Sequence, residues 1–302
     1  MRAVDLFAGC GGFSTGAQMA GCQVVWCGNH WPAAVAIHAA NHPEAQHACQ
    51  DLHQTNWLDV PAHDLLMASP ACQGHSKARG KDRPHHDAQR STAWAVVSAA
   101  ECHKPEFVLV ENVPEMTRWA LFPAWCSAMH LLGYALAPHI VDAADHGVAQ
   151  HRRRLFIVGS RSKHPIELNL TKSEHIPASN VVDFNAGKWS AINRAGRSTR
   201  TLGRIESGRA AFGSRFLTAY FGSEYGGRSL ARPLGTLTTK DRYAVIDGDR
   251  MRMLTVDESR QAMGFPADYK LPASHADAIK MLGNAVVPLV ARDVINALRM
   301  AA

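Results

Sequence analysis

The first half of the chain alternates short apolar runs with stretches of helical spacing, and that alternation leaves few folds open. Ala3–Phe7, Gln23–Cys27, Asp64–Ala68, Phe107–Val110 and Leu155–Gly159 read as strands. Phe13–Ala20, Ala33–Asn41, Ser91–Cys102 and Pro123–Leu132 read as helices between them. Strands that are apolar on both faces need cover on both. The pattern therefore predicts an α/β protein: a doubly wound, Rossmann-like, mostly parallel sheet with helices on either side. With 46% hydrophobic residues among 302, the chain can build one large core and a smaller lobe. Sheets of this kind bind ligands outside the carboxyl ends of their strands, so the turns that follow strands are where chemistry is sought.

From about residue 162 the texture changes. Residues 162–232 are rich in Ser, Gly, Asn, Thr and Arg with weak periodicity, which predicts a loop-rich second lobe. Leu234–Ile246 recovers strand character, Thr255–Met263 reads as a short helix, and Ala276–Met300 as a returning helix. The expected division is a ligand-binding domain over 1–162, a smaller domain over 163–250, and a hinge with a C-terminal helix over 251–302.

Charge points to a class of partner. The formal net charge is +6, much of it from Arg152, Arg153 and Arg154 and from the arginines between 194 and 209. A basic balance suits a polyanion, although many basic proteins bind none. No apolar run is long enough to cross a bilayer and the N-terminus does not resemble a signal peptide, so a soluble, intracellular, cytoplasmic protein is expected. The seven cysteines include no C-x-x-C pair, which favours reduced thiols over a disulfide framework or a structural zinc site. His38 and His42 stand one helical turn apart and His85 adjoins His86, but no third ligand of convincing spacing accompanies either pair, so no metal is expected.

Four turns carry candidate chemistry. Asp5–Gly12 (DLFAGCGG) joins the first strand to the first helix; its glycines permit positive φ and close approach of a ligand, or simply a tight turn. Its spacing is not G-x-G-x-x-G, and the second strand ends Cys27-Gly28-Asn29-His30 without an acidic residue, which disfavours a nicotinamide site. Cys72 lies in the turn after the third strand, where a thiolate would be a strong nucleophile. His75, Lys77 and Arg79 are nearby cations; a packed cysteine is the plainer alternative. Glu111 ends a very apolar strand, where burial would let it hold a proton near neutrality; a salt-bridge partner is the plainer alternative. In Gln150–Arg154 strand alternation places Arg152 and Arg154 on one side, two guanidinium forks suited to phosphate or a base carbonyl, or else a solvated basic edge.

Taken in order, these turns resemble the DNA cytosine-5 methyltransferase family along nearly the whole chain. DLFAGCGGFSTG is similar to its S-adenosylmethionine loop, Ser69–Ser76 to its nucleophile block, Glu111-Asn112-Val113 to its Glu-Asn-Val block, and Gln150–Arg154 to Gln-x-Arg-x-Arg. Arg232–Thr239 and Gly283–Pro288 resemble the two closing blocks. The weakly matching stretch between Arg154 and Arg232 falls where this family places its target recognition region.

The resemblance implies a class I methyltransferase fold and S-adenosylmethionine as cofactor. It assigns Cys72 as covalent nucleophile at cytosine C6, Glu111 as the acid on N3, and Arg152 and Arg154 to the O2 edge and a phosphate. Phe7, Gly9, Gly11, Gly12, His30, Trp31, Asp51 and Asn284 would surround the cofactor, with Trp31 on adenine and Asp51 on its amino group. Gln73, Ser76, Lys77, Arg79, Arg232 and Thr239 would contact DNA, and the basic loop Gly74–Gln89 would close over it. The target base must be flipped out of the duplex to react. The implied partner is duplex DNA, with a companion restriction endonuclease allowed for and a monomer expected.

Two positions depart from the family pattern. His30 stands where an acidic residue usually holds the ribose hydroxyls, and Ala71 where a proline usually precedes the nucleophile. A catalytically weak DNA-binding relative, an RNA cytosine-5 methyltransferase and a nicotinamide-type oxidoreductase are the alternatives.

Overall fold

A computed structural model describes residues 1–71, 91–221 and 224–301. Its larger body is a seven-stranded sheet in the order β3-β2-β1-β4-β5-β7-β6. The strands are β1 (Arg2–Leu6), β2 (Gln23–Asn29), β3 (Gln46–Cys49), β4 (Leu65–Ala68), β5 (Phe107–Asn112), β6 (Ala135–Asp142) and β7 (Arg153–Ser160). The neighbours from β3 through β5 are parallel; β7 runs antiparallel to both β5 and β6. The expected doubly wound, mostly parallel α/β sheet is present.

Alternation along the strands divides the core in two. Ala3, Leu65, Met67, Leu109, Phe156 and Val158 join one buried cluster. That face is covered by α1 (Gly12–Met19), α2 (Pro32–Asn41) and α8 (Pro288–Ala301). Val4, Leu6, Leu66, Val108, Val110 and Ile157 join the other cluster, beneath α3 (Trp94–His103) and α4 (Phe122–Leu131). The contact of α1 with α8 is close enough that a Cβ on Gly16 would stand 2.5 Å from Ala291 Cβ and from the Pro288 carbonyl oxygen. Among the described residues no helix is long and apolar enough to cross a membrane.

The second lobe is more regular than its composition predicts. It is a five-stranded sheet in the order β10-β9-β11-β12-β8, every pairing antiparallel, made of β8 (Ser190–Ala191), β9 (Arg215–Ala219), β10 (Gly227–Arg228), β11 (Tyr243–Asp247) and β12 (Arg250–Met253). Against it packs α5 (Thr199–Phe212), a helix inside the stretch expected to be loops. Ser198 caps it by accepting the Thr201 N–H, and Ile205 joins Phe216 in a small separate core. This sheet runs through Met253, a few residues past the boundary expected at 250.

Two other expectations are corrected. Strand character at Leu234–Ile246 is realised only from Tyr243 onward. The helix expected over Ala276–Met300 is two, α7 (His275–Asn284) and α8, because Pro288 has no N–H to continue α7 and opens a new helix instead. The short helix expected over Thr255–Met263 is present as α6 (Val256–Ala262), opened by a capping box of Thr255 and Glu258.

Candidate active site

The glycine turn after β1 uses its three glycines for three different reasons. Gly9 has φ +56°, and an added Cβ would meet nothing nearer than the Phe7 carbonyl oxygen at 4.0 Å, so one side of the backbone is open. Gly11 has φ +100°, and a Cβ there would stand 2.6 Å from the Tyr269 hydroxyl. At Gly12 a Cβ would lie 2.0 Å from the Val286 carbonyl oxygen, so this glycine lets the C-terminal segment pack against α1. The Tyr269 hydroxyl also donates to the Cys10 carbonyl, tying the turn to the segment after α6. An open, positive-φ backbone beside the N-terminus of α1 suits the polar tail of a ligand.

Of the other residues expected at the cofactor, His30 and Trp31 follow β2, Asp51 follows β3 and Asn284 ends α7. Trp31 is half-buried at the N-terminus of α2, held by its N–H to Asn29 Oδ1 at 2.9 Å. Lys280 Nζ sits 4.2 Å from the centre of its indole ring. His30 is exposed, Asn284 is exposed at the end of α7, and Asp51 is exposed just after β3, where its carboxylate accepts the His53 N–H. Phe7 takes φ +60°, unusual for a bulky residue, at the point where the chain leaves β1.

The turn after β4 hangs from four points. Ser69 N–H donates to the Leu6 carbonyl at 3.1 Å and its hydroxyl to the Phe7 carbonyl at 3.2 Å. Asn112 Nδ2 donates to the Pro70 carbonyl at 3.0 Å, and the Ala71 N–H donates to Thr92 Oγ1 at 3.1 Å. Ala71, which removes the expected ring, is thus held from outside. Cys72, Gln73, Ser76, Lys77 and Arg79, with the loop 74–89 and the pair His85-His86, lie outside the described residues.

Glu111 is buried on β5, on the same face as Leu109 and the facing β7 residue Phe156. Arg154, two residues from Phe156, therefore shares that face, and its Nε lies 3.1 Å from Glu111 Oε1. Burial raises the Glu111 carboxyl above its ordinary range, while the Arg154 and Arg152 charges pull it back.

Arg152 has a different task. It precedes β7 and is buried, with Nη1 donating to the Leu237 carbonyl at 3.0 Å and Nη2 to the carbonyls of Gly283 and Ala285 at 2.9 Å. Both arginine charges act on Glu111, but their hydrogen-bonding and ionic partners differ: Arg154 pairs with the carboxyl, and Arg152 donates to backbone carbonyls. Gln150, not singled out from sequence, completes the joint: its Nε2 donates to the Ala262 carbonyl and its Oε1 accepts the Leu237 N–H at 2.7 Å. Both residues lie within the Gln-x-Arg-x-Arg pattern, which was the one available signal. Thr239 is half-buried beside Gly283, where a Cβ would stand 2.5 Å from its backbone nitrogen. Arg232 is exposed and its carbonyl accepts the Ala178 N–H.

A doubly wound sheet with a glycine turn after β1 and a buried carboxyl at the end of β5 is the architecture of the class I methyltransferase fold. The family model for C-5 cytosine-specific DNA methylases matches residues 1–206 and 178–300, and the chain belongs to that family. Enzymes of this family methylate cytosine in DNA and use S-adenosylmethionine as the methyl donor. The chain is 28% identical over 291 residues to the type II methyltransferase M.HgiDI of Herpetosiphon aurantiacus, covering 95% of this chain and 90% of that one. It is 27% identical over 310 residues to the type II methyltransferase M.HhaI of Haemophilus parahaemolyticus, again covering 95% and 90%. Its fold matches a solved structure of a Spodoptera frugiperda DNMT2 triple mutant with a TM-score of 0.70 at 14% identity, covering 99% of both chains.

Proposed function

We propose that this enzyme methylates one cytosine of a short duplex DNA sequence after flipping the base from the helix, through a covalent bond between Cys72 and cytosine C6. The carrying observation is the pairing of Glu111, whose carboxyl pKa burial shifts upward, with Arg154 beside a turn anchored to both β1 and β5. An acid and a guanidinium side by side match two adjacent groups of cytosine, the ring N3 and the O2 carbonyl.

The residues then divide the work. The Cys72 thiolate adds to C6, and the electron pair of the C5–C6 double bond moves toward C5. Glu111 donates its proton to N3 and stabilises the charge that develops on the ring, and Arg154 donates to O2. S-adenosylmethionine supplies the methyl group that C5 takes. A base removes the C5 proton, the double bond re-forms, Cys72 leaves as thiolate, and the N3 proton returns to Glu111.

The cofactor is held by the open backbone at Gly9, with Phe7, Gly11, Trp31, Asp51 and Asn284 around it. Trp31 offers an aromatic face and Asp51 an exposed carboxylate for adenine. His30 offers one acceptor to the ribose hydroxyls. Arg152 acts as a positioning residue, fixing the backbone near Asn284 and Thr239. The second lobe, with arginine-rich α5 and Arg232, is the target recognition domain and reads the duplex, while Gln73, Ser76, Lys77 and Arg79 contact the emptied strand position. The protein works as a monomer in the cytoplasm, on the nucleoid, with a restriction endonuclease of the same specificity as its companion.

The test is trapping on duplexes that carry 5-fluorocytosine, with the methyl donor present. Fluorine cannot be removed as a cation, so the adduct persists. A covalent complex with the wild type and none with Cys72→Ser supports the mechanism; free protein in both overturns it. Bisulfite sequencing of DNA from expressing cells is expected to show one motif modified at one cytosine.

A further inference from the structure

Three ligand-type atoms converge beneath α2, away from the residues assigned to methyl transfer. Cys27 on β2 and His47 on β3 are register partners on adjacent parallel strands, so their side chains share a face. His38 on α2 lies over that face. Its Nδ1 is 2.9 Å from His47 Nε2 and 3.4 Å from Cys27 Sγ. All three ligand atoms lie within 4.8 Å of one another. Tetrahedral zinc with bonds of about 2.0–2.3 Å would require separations of roughly 3.3–3.6 Å between ligand atoms, so the two pairs made by His38 need shifts of no more than a few tenths of an ångström.

The surroundings already hold His38 in the required form. Ser14 Oγ is 2.7 Å from Asp5 Oδ2 and donates to it, and His38 Nε2 is 3.0 Å from the same hydroxyl. With the Ser14 proton on Asp5, His38 Nε2 must be the donor, which leaves its Nδ1 lone pair facing Cys27 and His47. A carboxylate reached through a hydrogen bond is the usual way a metal-ligating histidine is oriented. Asp5 is itself fully buried, a register neighbour of Cys27 on β1, and its Oδ1 has no hydrogen-bond partner among the described residues. A divalent ion bound here would favour the ionised forms of both the buried Asp5 carboxyl and the neighbouring Cys27 thiol.

We propose that Cys27, His38 and His47 bind one Zn²⁺ ion. One thiolate and two neutral imidazoles suit this borderline-soft ion, and His47, half-buried, leaves an approach from solvent. Binding releases the Cys27 thiol proton to solvent, and His47 carries its remaining proton on Nδ1. The ion clips α2 to β2 and β3. Trp31 begins α2 and Asp51 follows β3, so the clip sets the spacing of two residues proposed to flank adenine.

The test uses the untagged full-length protein, supplied with zinc during expression, freed of loose metal by gel filtration and analysed by mass spectrometry for bound metals. The wild type is expected to hold about one zinc per chain, and Cys27→Ala and His47→Ala almost none. Cys49→Ala and Cys72→Ser retain it, which excludes the other thiols as the source. His47 is half-exposed, so its variant separates loss of metal from loss of fold, with circular dichroism as the check. Ser14→Ala, which removes only the orienting hydroxyl, is expected to weaken zinc binding about 10–100-fold. In the cobalt-loaded protein a thiolate charge-transfer band is expected that disappears in Cys27→Ala. Zinc-free wild type, zinc retained in Cys27→Ala or His47→Ala, or copper or iron held in place of zinc under equal supply would overturn the proposal. None of these readouts depends on methyl transfer, so the proposed mechanism and this site fail separately.

Discussion

Arg154 and Glu111 meet at 3.1 Å inside the protein, where burial and the guanidinium act on the carboxyl in opposite directions. Burial raises its pKa above the ordinary 4.5, and the guanidinium opposes that rise. The proposed mechanism needs the protonated form, so kcat/KM is expected to fall as pH climbs through the Glu111 pKa. Arg154→Ala removes a charge that favours the carboxylate, so this alkaline limb should move to higher pH even as the maximum rate drops. Glu111→Gln, which cannot protonate N3, is expected to lower kcat about 10²–10³-fold and to lose the limb. A limb unmoved in Arg154→Ala would assign it to another group.

Arg152 joins three carbonyls that belong to two separate segments of the chain. Arg152→Met keeps volume but leaves those acceptors without this donor, at a cost of about 2–4 kcal/mol. The urea midpoint should fall accordingly. Because Gly283 adjoins Asn284, KM for S-adenosylmethionine is also expected to rise by more than the affinity for DNA changes.

In the second lobe Arg252 and Glu258 form a two-pronged pair at 2.6 and 2.7 Å with both side chains almost fully buried. Removing one partner, as in Glu258→Ala, should cost about 3–5 kcal/mol. Replacing both, as in Arg252→Met with Glu258→Leu, should recover much of it. Denaturant unfolding of the two variants measures this, and equal loss in both would show the pair to be net stabilising.

On α8, Asp293 accepts from His146 at 2.9 Å. Burial disfavours its charge, but the bonds from His146 and Arg292 win and hold the carboxyl below its usual value. A depressed carboxyl adds stability above the unfolded-state pKa and loses it as pH falls through the folded one. Asp293→Asn should therefore cost about 1 kcal/mol near neutrality and nothing in strong acid. Melting curves of both proteins from pH 7 downward test the sign.

What was legible in the sequence is what physics writes locally. β1, β4 and β5 are buried on both faces, so their apolar runs admit one reading. β3 (QHAC) and β6 (ALAPHIVD) lie at the two edges of the sheet, and a polar composition or a proline costs an edge strand little. α5 was hidden because arginine stems cover apolar surface that hydropathy does not credit, and only Leu202 and Ile205 mark its inner side. Glu111 and Cys72 stood out because each follows a strand. The work of Arg152 could not be read, since its acceptors are backbone carbonyls 85 to 133 positions away. Cys27, His38 and His47 escaped for the same reason: a spacing rule within one helix pairs His38 with His42, whereas the geometry takes one ligand atom from each of three elements.

The contact between α1 and α8 places nearly the entire chain between two surfaces that need each other. During translation α1 leaves the ribosome long before its cover exists, and the groove that Gly16 opens for Pro288 and Ala291 stays wet until α8 emerges. The larger body, although most of its strands come first in the sequence, cannot close its core until after the second lobe has been synthesised.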